Sequence, residues 1–198
     1  MVQILKKNSV RISLIILASA IVFLIAVPIY QRATRKTMRF YENALLDTAN
    51  FETTCRDADL IVRCKASQVG EAFEHSSGGI YTPVTFEIYK TYKGDSSVQT
   101  VTLYEEYALY KNTEMLYYPK ESTPFPIRKG EEFILFFQTT GYFTKDSARL
   151  SHYGGYSTVN GDTVTLNPYI REVESLPGIG DDLTMPLSEF EALIADNL

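Results

Sequence analysis

The chain has 198 residues, 13% of them aromatic, with 14 Tyr, 11 Phe, no Trp and two Cys, too few for a disulfide framework. Its charge is divided: residues 1–39 hold seven bases (Lys6, Lys7, Arg11, Arg32, Arg35, Lys36, Arg39) and no acid, which leaves 12 bases against all 24 acids in residues 40–198, a net of −12. A body that acidic is repelled by nucleic acid and by anionic headgroups, and this argues against either as its main partner.

Residues 1–11 form a short basic tail. Residues 12–30, ISLIILASAIVFLIAVPIY, carry no charge. As a helix they are roughly 28 Å long, close to the ~30 Å hydrocarbon core of a bilayer. The run predicts one transmembrane helix, and the membrane is the first expected partner. A cleaved signal peptide would have a shorter apolar region followed by small residues. Here Ala18-Ser19-Ala20 lies mid-run and Pro28 spoils the later candidate, so the expectation is an uncleaved signal anchor. The bases on the two flanks nearly balance; the short tail and the acidic, Tyr- and Thr-rich body favour the N-terminus inside and the C-terminal domain extracytoplasmic, in a single-pass cell-membrane protein.

Residues 31–50 read as a basic juxtamembrane linker with a short helix, in which Phe40, Ala44, Leu45 and Phe51 stand near helical spacing. Residues 51–198 are enough for one domain, and their composition is that of a β domain. Ala58, Leu60, Val62, Cys64 and Ala66 alternate with Asp59, Ile61, Arg63 and Lys65, a strand with one side buried. An extended chain would hold Cys55 and Cys64 roughly 30 Å apart, so two free thiols are expected.

Val84, Phe86 and Ile88 mark a second strand, closed by a turn at Lys93-Gly94-Asp95, and residues 98–104 a third. Residues 105–129, broken by Pro119, Pro124 and Pro126, read as a long aromatic loop. Residues 131–137 are the most apolar strand and the expected central one. Residues 149–159 and 163–166 flank Asn160-Gly161, a hairpin signal, and Gly154-Gly155 suggests a bulge or close backbone approach. Ser188 and Glu191 have the spacing of a capping box for a C-terminal helix with Leu187, Phe190, Leu193 and Ile194 as its apolar stripe. Five or six strands with helices at the two ends predict a mainly β fold, a small Greek-key barrel or a sandwich.

Residues 55–66, CRDADLIVRCKA, resemble the start of the netrin-like domain, an OB-type barrel found in tissue inhibitors of metalloproteinases: a Cys two residues before Ala-Asp, an apolar triplet, Arg, then Lys-Ala. The likeness continues loosely through residues 85–90, 92–94 and 129–135, and is shared with membrane-anchored surface proteins of Gram-positive bacteria. It covers about a third of the domain and implies an OB-like Greek-key β-barrel. The inhibitory activity does not carry over. That family chelates the protease zinc with the free amino group and carbonyl of an N-terminal cysteine, whereas this chain has a membrane helix there and Cys55 has no evident partner.

His75, His152, Cys55 and Cys64 show no metal-ligand spacing, so neither metal nor cofactor is expected. No G-x-S-x-G, H-E-x-x-H, P-loop or dinucleotide fingerprint occurs. Tyr104, Tyr107, Tyr110, Tyr117 and Tyr118 cluster in and beside the long loop; tyrosines there either pack the loop or make a recognition surface. The expectation is therefore a non-enzymatic, membrane-anchored binding module whose tyrosines contact a protein or cell-wall ligand. The alternatives are a surface hydrolase with a site near His152, and a structural subunit of an envelope complex joined through the helix.

Overall fold

In the computed structural model the described residues are 2–41, 49–76, 79–105, 108–110, 113–118, 126–139, 147–150 and 155–198; side chains are described in these except at 2–16, 18, 37–41, 108–110, 114–118, 139 and 147–150. The fold is mainly β.

Helix α1 (Val2–Ala33) carries the apolar run. Leu17, Ile21, Val22, Phe23, Leu24, Ile25, Ile29 and Tyr30 are all exposed, and they are distributed around the helix rather than along one stripe. With the side chains of residues 12–16 and 18 outside the description, no helix among the described residues is long and apolar enough to cross a membrane. Thr34 ends α1, its N–H and its hydroxyl both donating to the Tyr30 carbonyl at 2.9 and 2.8 Å.

Strand β1 (Lys36–Tyr41) follows at once, so Phe40 is on a strand and not on the short helix expected at 40–50. Residues 42–48 of that expectation lie outside the described residues. The short helix comes later, as α2 (Phe51–Asp57). Asn50 sets its start by accepting the Thr53 N–H on Oδ1 at 2.9 Å. Phe51, Thr54 and Cys55, three and four residues apart, form its buried face. Cys55 is therefore helical rather than extended; both cysteines are nevertheless free and buried.

Strands β2 (Leu60–Val69), β3 (Phe73–Glu74), β4 (Ile80–Lys93) and β5 (Thr100–Glu105) come next. The expected long loop then contains β6 (Ala108–Tyr110) and β7 (Thr113–Tyr118). These two pair with each other, and β7 pairs in parallel with β1, giving a separate three-stranded sheet in the order β1-β7-β6. The prolines that suggested an unstructured loop, Pro119 and Pro124, lie outside the described residues beyond it, and Pro126 lies just before β8.

The large sheet has β8 (Glu132–Thr139), β9 (Ser147–Leu150), β10 (Tyr156–Asn160), β11 (Thr163–Leu166) and β12 (Thr184–Pro186) in the order β12-β11-β10-β8-β2-β4-β5-β9, with β3 attached to β4. As expected, β8 is central: β2 lies along one edge, and on the other edge β10 covers residues 132–135 and β9 covers residues 137–139. Strand β9 also pairs with β5, in parallel, so the pairings β8-β2-β4-β5-β9 lead back to β8. Between the pairs Phe137↔Leu150 and Leu135↔Tyr156, β8 advances two residues and its partner six. The Gly155 carbonyl accepts the Phe136 N–H at 2.9 Å, while Gly154 of the expected glycine pair lies outside the described residues. The hairpin turn is one residue later than expected, Gly161-Asp162, with Asn160 paired to Thr163 and Gly161 at φ 62°.

Two apolar cores lie on opposite faces of β2 and β8. One gathers Leu60, Val62, Cys64 and Ala66 with Val84, Phe86, Val101, Leu103, Phe133, Leu135 and Phe137. The other gathers Ile61, Ile134 and Phe136 with Phe51 and Cys55 of α2 and Phe190 and Ile194 of α3 (Leu187–Asp196). Strand β2 is thus buried on both faces near Ile61, where one buried side was expected. The capping box is absent: Pro186 is the N-cap, with no side-chain bond, and the Leu187 N–H donates to the Asp162 carbonyl at 2.8 Å. The hairpin satisfies the helix start, and Glu191 is free for another task.

Candidate recognition surface

Alternation along β4 and β5 puts Tyr81, Pro83 and Thr85 on the same outer face as Tyr104 and Thr102, with Pro83 opposite Tyr104 and Thr85 opposite Thr102. The two threonine hydroxyls are 3.3 Å apart. Strand β3 brings Phe73 opposite Tyr81. The Phe73 ring lies 6.0 Å from Tyr104 at 83°, an edge-to-face contact, and 6.4 Å from Tyr81. His75 stands edge-on to Tyr81 at 6.2 Å. All four side chains are half-buried. Two glycines make room for them. A Cβ on Gly79 would meet the Tyr81 ring at 2.6 Å, and one on Gly70, whose N–H donates to the Pro83 carbonyl, would meet Pro83 Cγ at 2.7 Å.

Directly behind this face, Glu105 is 3% exposed and stands opposite Thr82 on β4. Its Oε1 has no hydrogen-bond partner among the described residues. Burial first, and then the nearby Glu131 charge, push its carboxyl well above the usual range. The cysteines offer no nucleophile: burial pushes the Cys55 thiol up to about 12 against the pull of Lys93, and raises Cys64 as well. Among the described residues no group of three or more His, Cys, Asp or Glu is placed to hold a metal ion.

A second polar cluster joins β4 to α3. Glu191 accepts Lys90 Nζ at 2.7 Å and the Tyr92 hydroxyl at 2.6 Å, while nearby Arg63 donates to Glu132 at 3.2 Å.

Four of the five expected tyrosines lie among the described residues. Tyr104 belongs to the aromatic cluster. Tyr110 is on β6 opposite Thr113, and Tyr117 and Tyr118 are on β7 opposite Phe40 and Tyr41, all in the other sheet. Tyr107 lies outside the described residues, as does His152, the centre of the hydrolase alternative. Sequence reasoning missed Phe73, His75 and Tyr81. Tyr81 could have been found as the aromatic end of the outward alternation Tyr81, Pro83, Thr85. Phe73 gave no periodic signal because β3 is two residues long.

Among the described residues this face offers ring surface beside hydroxyls, groups suited to stacking and hydrogen bonding. Compared with known protein families and with curated proteins, the chain matches none.

Proposed function

We propose that this protein is a membrane-anchored extracytoplasmic binding module that presents the Phe73–Tyr81–Tyr104 face to an uncharged, hydroxyl-rich cell-wall glycan. The carrying observation is the set of ring contacts of Phe73 with Tyr81 and Tyr104 on the outer side of β4 and β5. Sugar rings present C–H faces that pack on aromatics and hydroxyls that pair with Tyr and Thr. A net charge of −12 on residues 40–198 favours an uncharged ligand over an anionic one.

The anchor is α1, spanning through residues 12–30 with the N-terminus inside. Its exposed apolar residues on all sides support this, since a helix apolar all round belongs either in a protein core or in lipid. The body is an OB-type barrel related to the netrin-like domain. In chain order the five strands β2, β4, β5, β8 and β9 pair first to second to third to fifth to fourth and back to first, the five-stranded Greek-key arrangement such a barrel requires. OB barrels bind oligosaccharides on the face of their second and third strands, here β4 and β5, where Tyr104 and Tyr81 stand.

The test is a titration of the full chain in detergent micelles with soluble cell-wall oligosaccharides. Tyr104→Ala and Phe73→Ala should each weaken binding about tenfold, or about 1.4 kcal/mol. No binding by the unaltered chain, or binding by either variant as tight as that of the unaltered chain, sinks the proposal. Protease shaving of intact cells checks orientation, and survival of the domain overturns it.

A further inference from the structure

The outer face of β4 and β5 does not end with the rings. Val84 and Phe86 of β4, Val101 and Leu103 of β5, and Cys64 and Ala66 of β2 all turn into one core, so the residues between them line the other side of the sheet. Along that side the opposed pair Pro83 and Tyr104 is followed by Thr85 and Thr102, and then by Glu87 and Thr100. Strand β2 widens the row: Gln68 stands opposite Thr85, and Lys65 opposite both Glu87 and Glu132. The register of β2 shifts at Ser67, whose hydroxyl donates to the Thr85 carbonyl at 3.1 Å, so Ser67 and Gln68 together flank Thr85. Gln68, Glu87 and Thr100 are exposed. The row stops where Lys90 meets Glu191 of α3. From Tyr81 to Glu87 it runs six residue steps, ~20 Å.

We infer that this row is a binding track for an extended glycan several sugars long, which lies along β4 from the ring cluster toward α3; the inference rests on the glycan reading above. The row is far longer than one sugar ring, and its chemistry changes along its length. Rings at the Tyr81 end take the C–H face of a sugar. Hydroxyls and an amide follow at Thr85, Thr102, Ser67 and Gln68, groups that both donate and accept, as sugar hydroxyls do. Beyond them Arg63 and Lys65 are matched by Glu132 and Glu87, with Arg63 donating to Glu132 at 3.2 Å and the Lys65 ammonium 3.9 Å from the same carboxylate. Charges balanced in this way suit an uncharged chain along the whole track and give no single anionic or cationic group a counter-ion. An extended peptide is a poorer fit, because peptides add to a sheet at its edge, where the backbone can pair, whereas this track lies on a face and offers side chains alone.

The experiment titrates the full chain in detergent micelles with soluble cell-wall oligosaccharides separated by length. The hexasaccharide fraction should bind about tenfold more tightly than the disaccharide. Gln68→Ala and Glu87→Ala, both at exposed positions, should each lower that hexasaccharide-to-disaccharide ratio about threefold, the size of one lost hydrogen bond, whereas Tyr104→Ala should weaken both fractions together. If the hexasaccharide binds no more tightly than the disaccharide, or if either Gln68→Ala or Glu87→Ala keeps the ratio of the unaltered chain, the track is overturned and the ring site stands. If no fraction binds, the glycan reading fails and the track with it.

Discussion

Tyr92 donates its phenolic hydrogen to Glu191 Oε1 at 2.6 Å, while Lys90, two residues earlier on β4, donates to Oε2 at 2.7 Å. One carboxylate ties the C-terminal helix to the strand. The Lys90 ammonium also sits 4.9 Å from the centre of the Tyr92 ring, so the three side chains hold one another in place.

Tyr92→Phe should cost about 1 kcal/mol, because it deletes a hydrogen bond to a charged group at a partly exposed site. Lys90→Ala should cost less, as surface ion pairs do. Burial raises the Glu191 carboxyl, but the hydrogen bonds from Lys90 and Tyr92 and the charges of Lys90 and Arg63 outweigh it and hold it below the usual range. A depressed carboxylate contributes stability above its unfolded pKa and loses it as pH falls through the folded one. Glu191→Gln should therefore be less stable than the parent at pH 6–7 and converge on it in acid. Thermal melts across pH, with Tyr92→Phe in a double-mutant cycle, measure both effects.

Glu105 carries the opposite sign. Its folded pKa is raised by burial and by Glu131, so its contribution is complete below the unfolded value and is lost as pH rises through the folded one. Glu105→Gln should match the parent below about pH 4, near the ordinary carboxylate value, and become progressively more stable than it at higher pH. A constant difference between the two melting curves at all pH values would show that Glu105 does not titrate in a changed environment.

Lys93 places its ammonium on the Cys55 and Arg56 carbonyls, at 2.9 and 2.8 Å, capping the end of α2. With the Cys55 thiol pushed up to about 12, labelling at pH 8 should be about a thousandfold slower than for an exposed cysteine. Lys93→Met should lower stability by about 1 kcal/mol and, by removing the charge that pulls the Cys55 thiol down, slow labelling of folded Cys55 while leaving Cys64 unchanged. Peptide mapping of the labelled thiol distinguishes the two.

Gly94 and Gly161 both have positive φ, 96° and 62°, but their surroundings differ. A Cβ on Gly94 meets the Asp59 carbonyl at 2.7 Å; one on Gly161 meets nothing within 4 Å. Gly161→Ala should cost about 1 kcal/mol from its backbone conformation alone, and Gly94→Ala clearly more, since it must also displace backbone. Denaturant midpoints of the two variants give the comparison.

The periodic parts of the fold were legible before the structure. Val62 and Cys64, Val84 and Phe86, and Leu187, Phe190 and Ile194 stand where their alternation or helical spacing puts them, because burial dictated those residue types. Pairing between distant segments left no local signal. Nothing in residues 36–41 shows that they lie beside residues 113–118, so a three-stranded sheet was read as a linker and a loop. The same holds for the recognition face: Tyr104 could be picked out by residue type, but its partners Phe73 and Tyr81 come from strands that meet it only in three dimensions. The spacing of Ser188 and Glu191 misled because the helix already starts at Leu187, with Pro186 as its N-cap, which puts Ser188 inside the first turn instead of before it.

Strand β8 receives β2 on one edge and both β9 and β10 on the other, and its residues 132–137 meet residues 60–65 across some seventy positions of chain. Such a junction comes late in synthesis. While the chain leaves the ribosome, β2, β4 and β5 have apolar faces and an open edge with no partner to close them. Folding must then wait for β8, making it slow, cooperative and exposed to misassociation in the interval. A nascent chain stopped before residue 131 should be protease-sensitive throughout, and one stopped after residue 166 should gain protection in β2 and β8 together.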